Sequence, residues 1–452
     1  MDITYTDDHT MQVTQQVDYI NSDDTLLTEL YFHLYANSFK ITAINKPVNN
    51  IYNDKAYPNG FSEGKIDIFS LKVEGEDSEI IVTGDDGDFL KVVLPEGLAP
   101  DDRVKIDLQY IVTVPNCNHR FGYGDNTINL ANFYPIVAVY DNGWVLEGYH
   151  SNGDPFYSDV ANYNVKVNYP TTYTLAHTGS SESKVENNGV TTQNLNARAV
   201  RDFAMVLSDK FKVISGKAGD VEVKYYYYND EHAEASLQAG IDSINTFSEL
   251  FGEYPYSTYS VVKTNFIHGG MEYPNLVYIS DAVAEKADYL NVIIHETAHQ
   301  WWYGLVGSNA YEYGWLDEGL TDYSTALFYR NNESYGVNYE QLMASTLDSY
   351  HVFVDIYDRI VGKIDTSMNR KICDYASEAE YVYMTYVKGA LLFDSICENL
   401  GYNKFIKVLQ KYFDAYKFTN VTPDHFIGIL EKVSKREMRG FVNSWLEGNV
   451  VL

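Results

Sequence analysis

The chain is 452 residues long, 45% apolar and 21% charged. That length exceeds what one hydrophobic core ordinarily serves, so two or more domains are expected, and the composition is globular, not disordered. With 33 basic against 63 acidic residues the formal net charge is −30, which argues against a nucleic-acid partner, for want of a basic footprint, and against anionic membrane surfaces.

Residues 1 to about 215 read as β structure. Alternating segments recur at Gln12–Tyr19, Leu27–Leu34, Lys65–Val73, Ser78–Val82 and Val104–Val114. Turn signals such as Pro58-Asn59-Gly60 and Pro95-Glu96-Gly97 separate them, as expected of antiparallel sheets. Phe121 to Asn126 is a glycine-rich loop, and Asn132 to Ile136 leads into another strand. Further strands are expected at Tyr163–Tyr169, Val200–Leu207 and Val221–Tyr228, with Gly179–Glu186 as an exposed turn. From about residue 230 the period changes. Leu237, Ile241, Ile244, Phe247 and Phe251 recur at helical spacing, and Gly252 with Pro255 ends that helix. Strands follow at Tyr259–Thr264 and Leu276–Ile279, and from Asp288 onward the chain is mostly helical. Thr422-Pro423-Asp424 is a helix start with Pro at the first helical position.

No run is apolar and long enough to span a bilayer. Cys117, Cys373 and Cys397 form no C-x-x-C, so no cysteine zinc site or redox motif is suggested. No signal-peptide pattern precedes the first strand, which fits either a cytoplasmic protein or a trimmed chain. The 41 tyrosines suit half-buried strands and wet clefts alike.

The chemistry concentrates between His295 and Glu318. His295-Glu296-Thr297-Ala298-His299 is followed, after eighteen residues, by Glu318 in Trp315-Leu316-Asp317-Glu318-Gly319. On a helix, residues i and i+4 share a face with Cβ atoms about 5–6 Å apart, so both imidazoles can reach one zinc ion. Glu296 points to a neighbouring face, where it can act as a base without being a ligand. Glu318 can supply a third ligand from a second helix, leaving one position open as in catalytic sites. The apolar flanks Val292, Ile293, Ile294, Trp301 and Trp302 bury this helix, where unpaired imidazoles and carboxylates are costly.

Four pieces in order carry a resemblance to the M1 family of zinc aminopeptidases, the gluzincins that include leukotriene A4 hydrolase. They are Gly269-Gly270-Met271-Glu272, the His295–His299 motif, Glu318 in its own motif, and Tyr386-Val387-Lys388-Gly389. His299-Gln300-Trp301-Trp302-Tyr303-Gly304 is similar to versions from Gram-positive bacteria. The resemblance implies an α+β multidomain fold: a saddle-like antiparallel β-sheet domain over 1–215, then a thermolysin-like, mostly helical catalytic domain over 216–452. It implies one zinc ion per chain on His295, His299 and Glu318, with Glu296 as general base and Tyr386 donating to the oxyanion. Glu272 would bind the free α-amino group of a peptide substrate, and Gly269, Gly270, Met271 and Tyr381 would line its site. Asp322, one turn beyond Glu318, is a candidate carboxylate behind a ligand imidazole.

The chain departs from the family pattern. Tyr273 stands where the family has Asn. The family's second amine anchor comes from the β domain, and Asp125 or Asn126 are candidates for it. Met271 and the loop near Tyr123 are candidates to line the side-chain pocket. The helical domain that caps the cleft in many relatives is absent from this sequence. The alternatives to an aminopeptidase are a zinc endopeptidase with an open cleft, or a non-catalytic peptide-binding surface protein. An extracellular or cell-surface location is favoured by the resemblance and the acidic surface, with a cytoplasmic one as the alternative.

Overall fold

The computed structural model describes residues 1–450 and 452. Its first half is built from three sheets. The largest has eight strands in the order Ser180–Asn187, Val190–Val200, Ala161–Pro170, Asp2–Thr6, Thr10–Ile20, Arg103–Thr113, Lys65–Val73 and Glu76–Asp77. The other two have four strands each. Alternation decides which face is buried. In Arg103–Thr113 the side chains of Val104, Ile106, Leu108, Tyr110 and Val112 turn inward, as a period of two dictates.

Three expectations are corrected. Within the sheets of the first half, Asp2–Thr6 pairs parallel with Ala161–Pro170. Parallel pairing needs a long crossover, and the intervening chain supplies it. Gly179–Glu186 is not a turn: Ser180–Asn187 is an edge strand, exposed along nearly its whole length and held by backbone pairing to Val190–Val200. The turn lies one step on, at Asn188 and Gly189, both with positive φ. Nor is Val200–Leu207 one strand. It breaks after Val200 and resumes at Met205–Ser208 in a different sheet.

A five-stranded sheet of Lys212–Ala218, Val221–Tyr227, Thr258–Thr264, Leu276–Ser280 and Gly270–Met271 joins the two halves. Both faces of its inner strands are buried. Val223, Tyr225, Val261, Val277 and Ile279 face a helical core with Ile293 and Trp301. Their neighbours Tyr226, Val262, Leu276 and Tyr278 face the core of the first half. A strand buried on both faces reads as a near-continuous apolar run. Because Lys212–Ala218 already belongs to this sheet, we propose that the second unit begins there, not at residue 216.

The helix Lys286–Ala298 packs against this sheet and against the long helix Ala233–Phe251. A short parallel pair, Val306–Ser308 with Thr419–Val421, ties the chain after the helix to the C-terminal helices. The fully buried Arg201, from the break after Val200, clamps that pair. Its Nε donates to the Tyr303 carbonyl at 2.8 Å and its Nη2 to the Thr419 carbonyl at 3.1 Å. A Cβ on Gly307 would sit 2.1 Å from the guanidinium carbon, so only glycine leaves room for the clamp. Thr422 caps the helix Pro423–Ser434, with Pro at its first turn as expected.

Candidate active site

The helix Lys286–Ala298 delivers His295 and Glu296, and His299 sits at its C-cap. Glu318 comes from Trp315–Gly319 and Tyr386 from Tyr383–Val387, and both stretches are single π-helical turns set in α-helix. Such turns widen a helix by one residue and re-aim its side chains, and they recur at functional sites. The first π turn packs against the start of the helix Lys388–Leu400 that continues the second. A Cβ on Gly319 would lie 2.7 Å from the Gly389 Cα, and one on Gly389 would lie 2.7 Å from the Gly319 Cα. Glycine at both positions lets the backbones meet and sets Glu318 near Tyr386.

His295 Nε2, His299 Nε2 and Glu318 Oε2 converge. His299 Nε2 is 3.1 Å from His295 Nε2 and 3.1 Å from Glu318 Oε2, and His295 Nε2 is 3.4 Å from Glu318 Oε2. Around a tetrahedral ion with ligands at 2.0–2.1 Å, neighbouring ligand atoms stand about 3.3 Å apart. The donor set therefore fits one face of a zinc tetrahedron, and its chemistry, two imidazoles and a carboxylate, is that of an open zinc site. Behind the ligands, His295 Nδ1 is 2.9 Å from Asp322 Oδ1, and His299 Nδ1 is 2.9 Å from Asp317 Oδ1. Asp322 faces the His295 Nδ1, and the His299 Nδ1–H donates to the Trp302 carbonyl at 3.0 Å with Asp317 beside it, which fixes the rings and leaves the Nε2 lone pairs free for a metal. The sequence pointed to Asp322 but not to Asp317, although Asp317 adjoins Glu318 in the same motif.

Burial and charge pull against each other in the site. Burial raises the Glu318 carboxyl, but His299 and His295 outweigh it and hold it below the usual carboxylate range. Burial pushes Glu296 up to about 7 against the opposing pull of the two imidazoles. Burial also drives the Glu272 carboxyl well up, opposed by His299. The Glu296 Oε2 atom is buried without a hydrogen-bond partner. A Cβ on Gly270 would come within 2.4 Å of Glu296 Oε1, so glycine here is what lets Glu296 pass the edge strand. Burial, with Glu318 nearby, keeps the Tyr386 phenol protonated, and its ring stacks at 10° to His295.

A cavity of about 590 Å³ opens onto this group. His295, Glu296, His299, Glu318, Glu272, Gly269, Gly270 and Tyr386 all line it. Three expected side chains do not. Tyr381 is buried behind the wall, its ring against Gly153 and Gly314 and 6.1 Å from Tyr386. Met271 is fully buried under Arg120, 2.8 Å from its Nη1, because alternation on the edge strand turns it inward. Tyr123 stacks on His9 at 3.6 Å, in the first half. Tyr273 also points away from the cavity, its hydroxyl donating to Asn132 at 2.9 Å. Asp125 and Asn126 are likewise elsewhere: Asn126 Oδ1 accepts from Lys210 at 3.0 Å, and the Asn126 backbone N–H donates to Asn265 at 2.7 Å. The β half instead reaches the cavity with Arg120, Tyr149, Asn152 and Asp154, which no sequence pattern had marked.

Residues 235–445 match the model of the peptidase family M1 domain. The chain resembles that family over this stretch. It is 24% identical over 259 residues to aminopeptidase M1-D of Oryza sativa subsp. japonica, covering 53% of this chain and 28% of that protein. It is 28% identical over 221 residues to aminopeptidase B of Rattus norvegicus, covering 44% and 32%. The matched stretches thus span about a third or less of these relatives' length. The fold is similar to the crystal structure of an M1 zinc metallopeptidase from Deinococcus radiodurans, with TM-score 0.70, 16% identity, and 100% of this chain and 93% of that one covered.

Proposed function

We propose that this chain is a zinc aminopeptidase that removes N-terminal residues from peptides with a free N-terminus. One observation carries the proposal furthest: a buried carboxylate oxygen without a partner, Glu296 Oε2, beside three donors spaced for one zinc ion. A binding protein has no use for an unsatisfied base, which costs stability wherever it is buried. The resemblance to the M1 family and the aminopeptidase relatives support the same reading.

His295, His299 and Glu318 would hold a zinc ion, which would supply Lewis acidity toward the scissile carbonyl and lower the pKa of water toward 7. Glu296 takes the proton of the attacking water and returns it to the leaving amine. Its raised affinity for a proton, from burial, suits both steps. Tyr386 donates its O–H to the oxyanion as charge develops, an interaction stronger in the transition state than in the ground state. Glu272 pairs with the terminal ammonium, which sets polarity and register. Gly269 and Gly270 let the peptide backbone lie close to the edge strand.

The test is a panel of aminoacyl fluorogenic amides beside their N-acetylated twins, with zinc measured on the same sample. Cleavage confined to the free-amine series, at one zinc per chain, is expected. Equal cleavage of both series makes the enzyme an endopeptidase.

A further inference from the structure

The turn that follows His299 carries an unusual backbone. Among the described residues, eleven other non-glycine residues have positive φ, and all of them lie between 45° and 69°, in or beside the left-handed well. Tyr303 stands at 140°, where a residue with a Cβ is strained. Such a conformation persists only where its surroundings over-determine it, and it gathers at functional sites.

Both polar groups of the Tyr303 backbone are held. Its N–H donates to the Val306 carbonyl at 3.0 Å, and its carbonyl accepts from Arg201 Nε at 2.8 Å. Arg201 comes from the first half and is only 1% exposed. Other N–H groups of its guanidinium go to the Thr419 and Ser158 carbonyls and to the Asn420 side chain. Among the described residues no carboxylate forms a salt bridge with it. A guanidinium buried on carbonyls alone is costly, but its planar fork fixes several segments at once.

The strained turn delivers the Trp302 carbonyl. The φ angle of Tyr303 sets the plane of the Trp302–Tyr303 peptide, and so the direction of that carbonyl. The carbonyl points at His299, whose Nδ1 lies 3.0 Å away. Asp317 at 2.9 Å and the Thr321 hydroxyl at 3.1 Å flank the same nitrogen. A relaxed φ would swing the carbonyl off the imidazole.

We propose that Arg201 is a positioning residue for the metal site: by holding the Tyr303 carbonyl it keeps the strained turn wound and the Trp302 carbonyl on the His299 ring. This rests on the reading of His299 as a zinc ligand. The first half thereby acts on the metal site through the main chain behind it.

Arg201→Lys keeps the charge and removes the fork. Zinc affinity is read by competition with a chromogenic chelator, and the ligand geometry by the visible absorption of the cobalt-loaded protein. The expected result is zinc binding weakened by about 10–100-fold, an altered cobalt spectrum, and kcat restored at saturating zinc. Leu195→Ala, a cavity in the core of the large sheet, is the control for lost stability and should leave zinc affinity and the cobalt spectrum unchanged. Wild-type affinity and spectrum in folded Arg201→Lys overturn the proposal, and so does an equal loss of affinity in Leu195→Ala. A wild-type chain that binds no zinc removes the zinc reading as well. Should Arg201→Lys not fold, Gly307→Ala keeps the arginine and sets a methyl group against its guanidinium. It should weaken zinc in the same direction, and an unchanged affinity overturns the proposal.

Discussion

The two walls of the cleft are built by different means. The helical wall is over-determined. His295 and His299 are each backed by a carboxylate at 2.9 Å, and Glu318 and Tyr386 ride on two π turns, the first of which meets the helix following the second glycine to glycine. The β-half wall rests mainly on the segment His150 to Asp154, held by Arg120 on Asp154 and by Asn152, whose side-chain amide donates to the Ile372 and Tyr375 carbonyls at 3.3 and 3.0 Å. Chemistry that needs geometry within a fraction of an ångström sits on the rigid side.

This contrast orders the expected effects. Removing the metal with a chelator should abolish activity and lower the melting temperature, both restored by added zinc, because the ion binds only the folded chain. A chelated protein that still turns over would remove zinc from the chemistry. Glu296→Gln should keep zinc and lower kcat by about 10²–10⁴-fold; undiminished turnover in a zinc-loaded sample would exclude Glu296 as the base. Tyr386→Phe should cost about 10²–10³-fold in kcat with KM little changed, as for a lost oxyanion donor. A loss falling on KM instead would make Tyr386 a substrate contact. Asp322→Asn should weaken zinc binding by about 10–100-fold, read by competition with a chelator, and bring kcat back once the site is saturated. Smallest should be Tyr273→Phe, which loses one buried hydrogen bond to Asn132 and about 1 kcal/mol of stability, with KM unchanged. A raised KM would return Tyr273 to the substrate site.

The helical wall was legible because its residues are local. Two imidazoles one turn apart and a carboxylate in a motif of its own can be recognised without knowing the fold. The β-half wall was not. Asp154 lies in a loop without periodicity, and its partner Arg120 is far away in the chain. Asp125 and Asn126, the residues suggested from that half, had only a glycine-rich neighbourhood to recommend them. Tyr381 and Met271 failed for a simpler reason. Membership of a motif does not say which way a side chain points, and the edge-strand alternation sends Glu272 into the cavity and Met271 beneath Arg120.

The sequence by itself determined the period of the strands and helices, the zinc-type donor set and the family resemblance, because each depends on residues within a turn or on composition. Tertiary structure alone decided that the five-stranded sheet has two cores, that paired π turns hold Glu318 beside Tyr386, and that Asp154 reaches the cavity from the first half. Those facts depend on close packing between segments far apart in the chain, and no local spacing encodes such contacts.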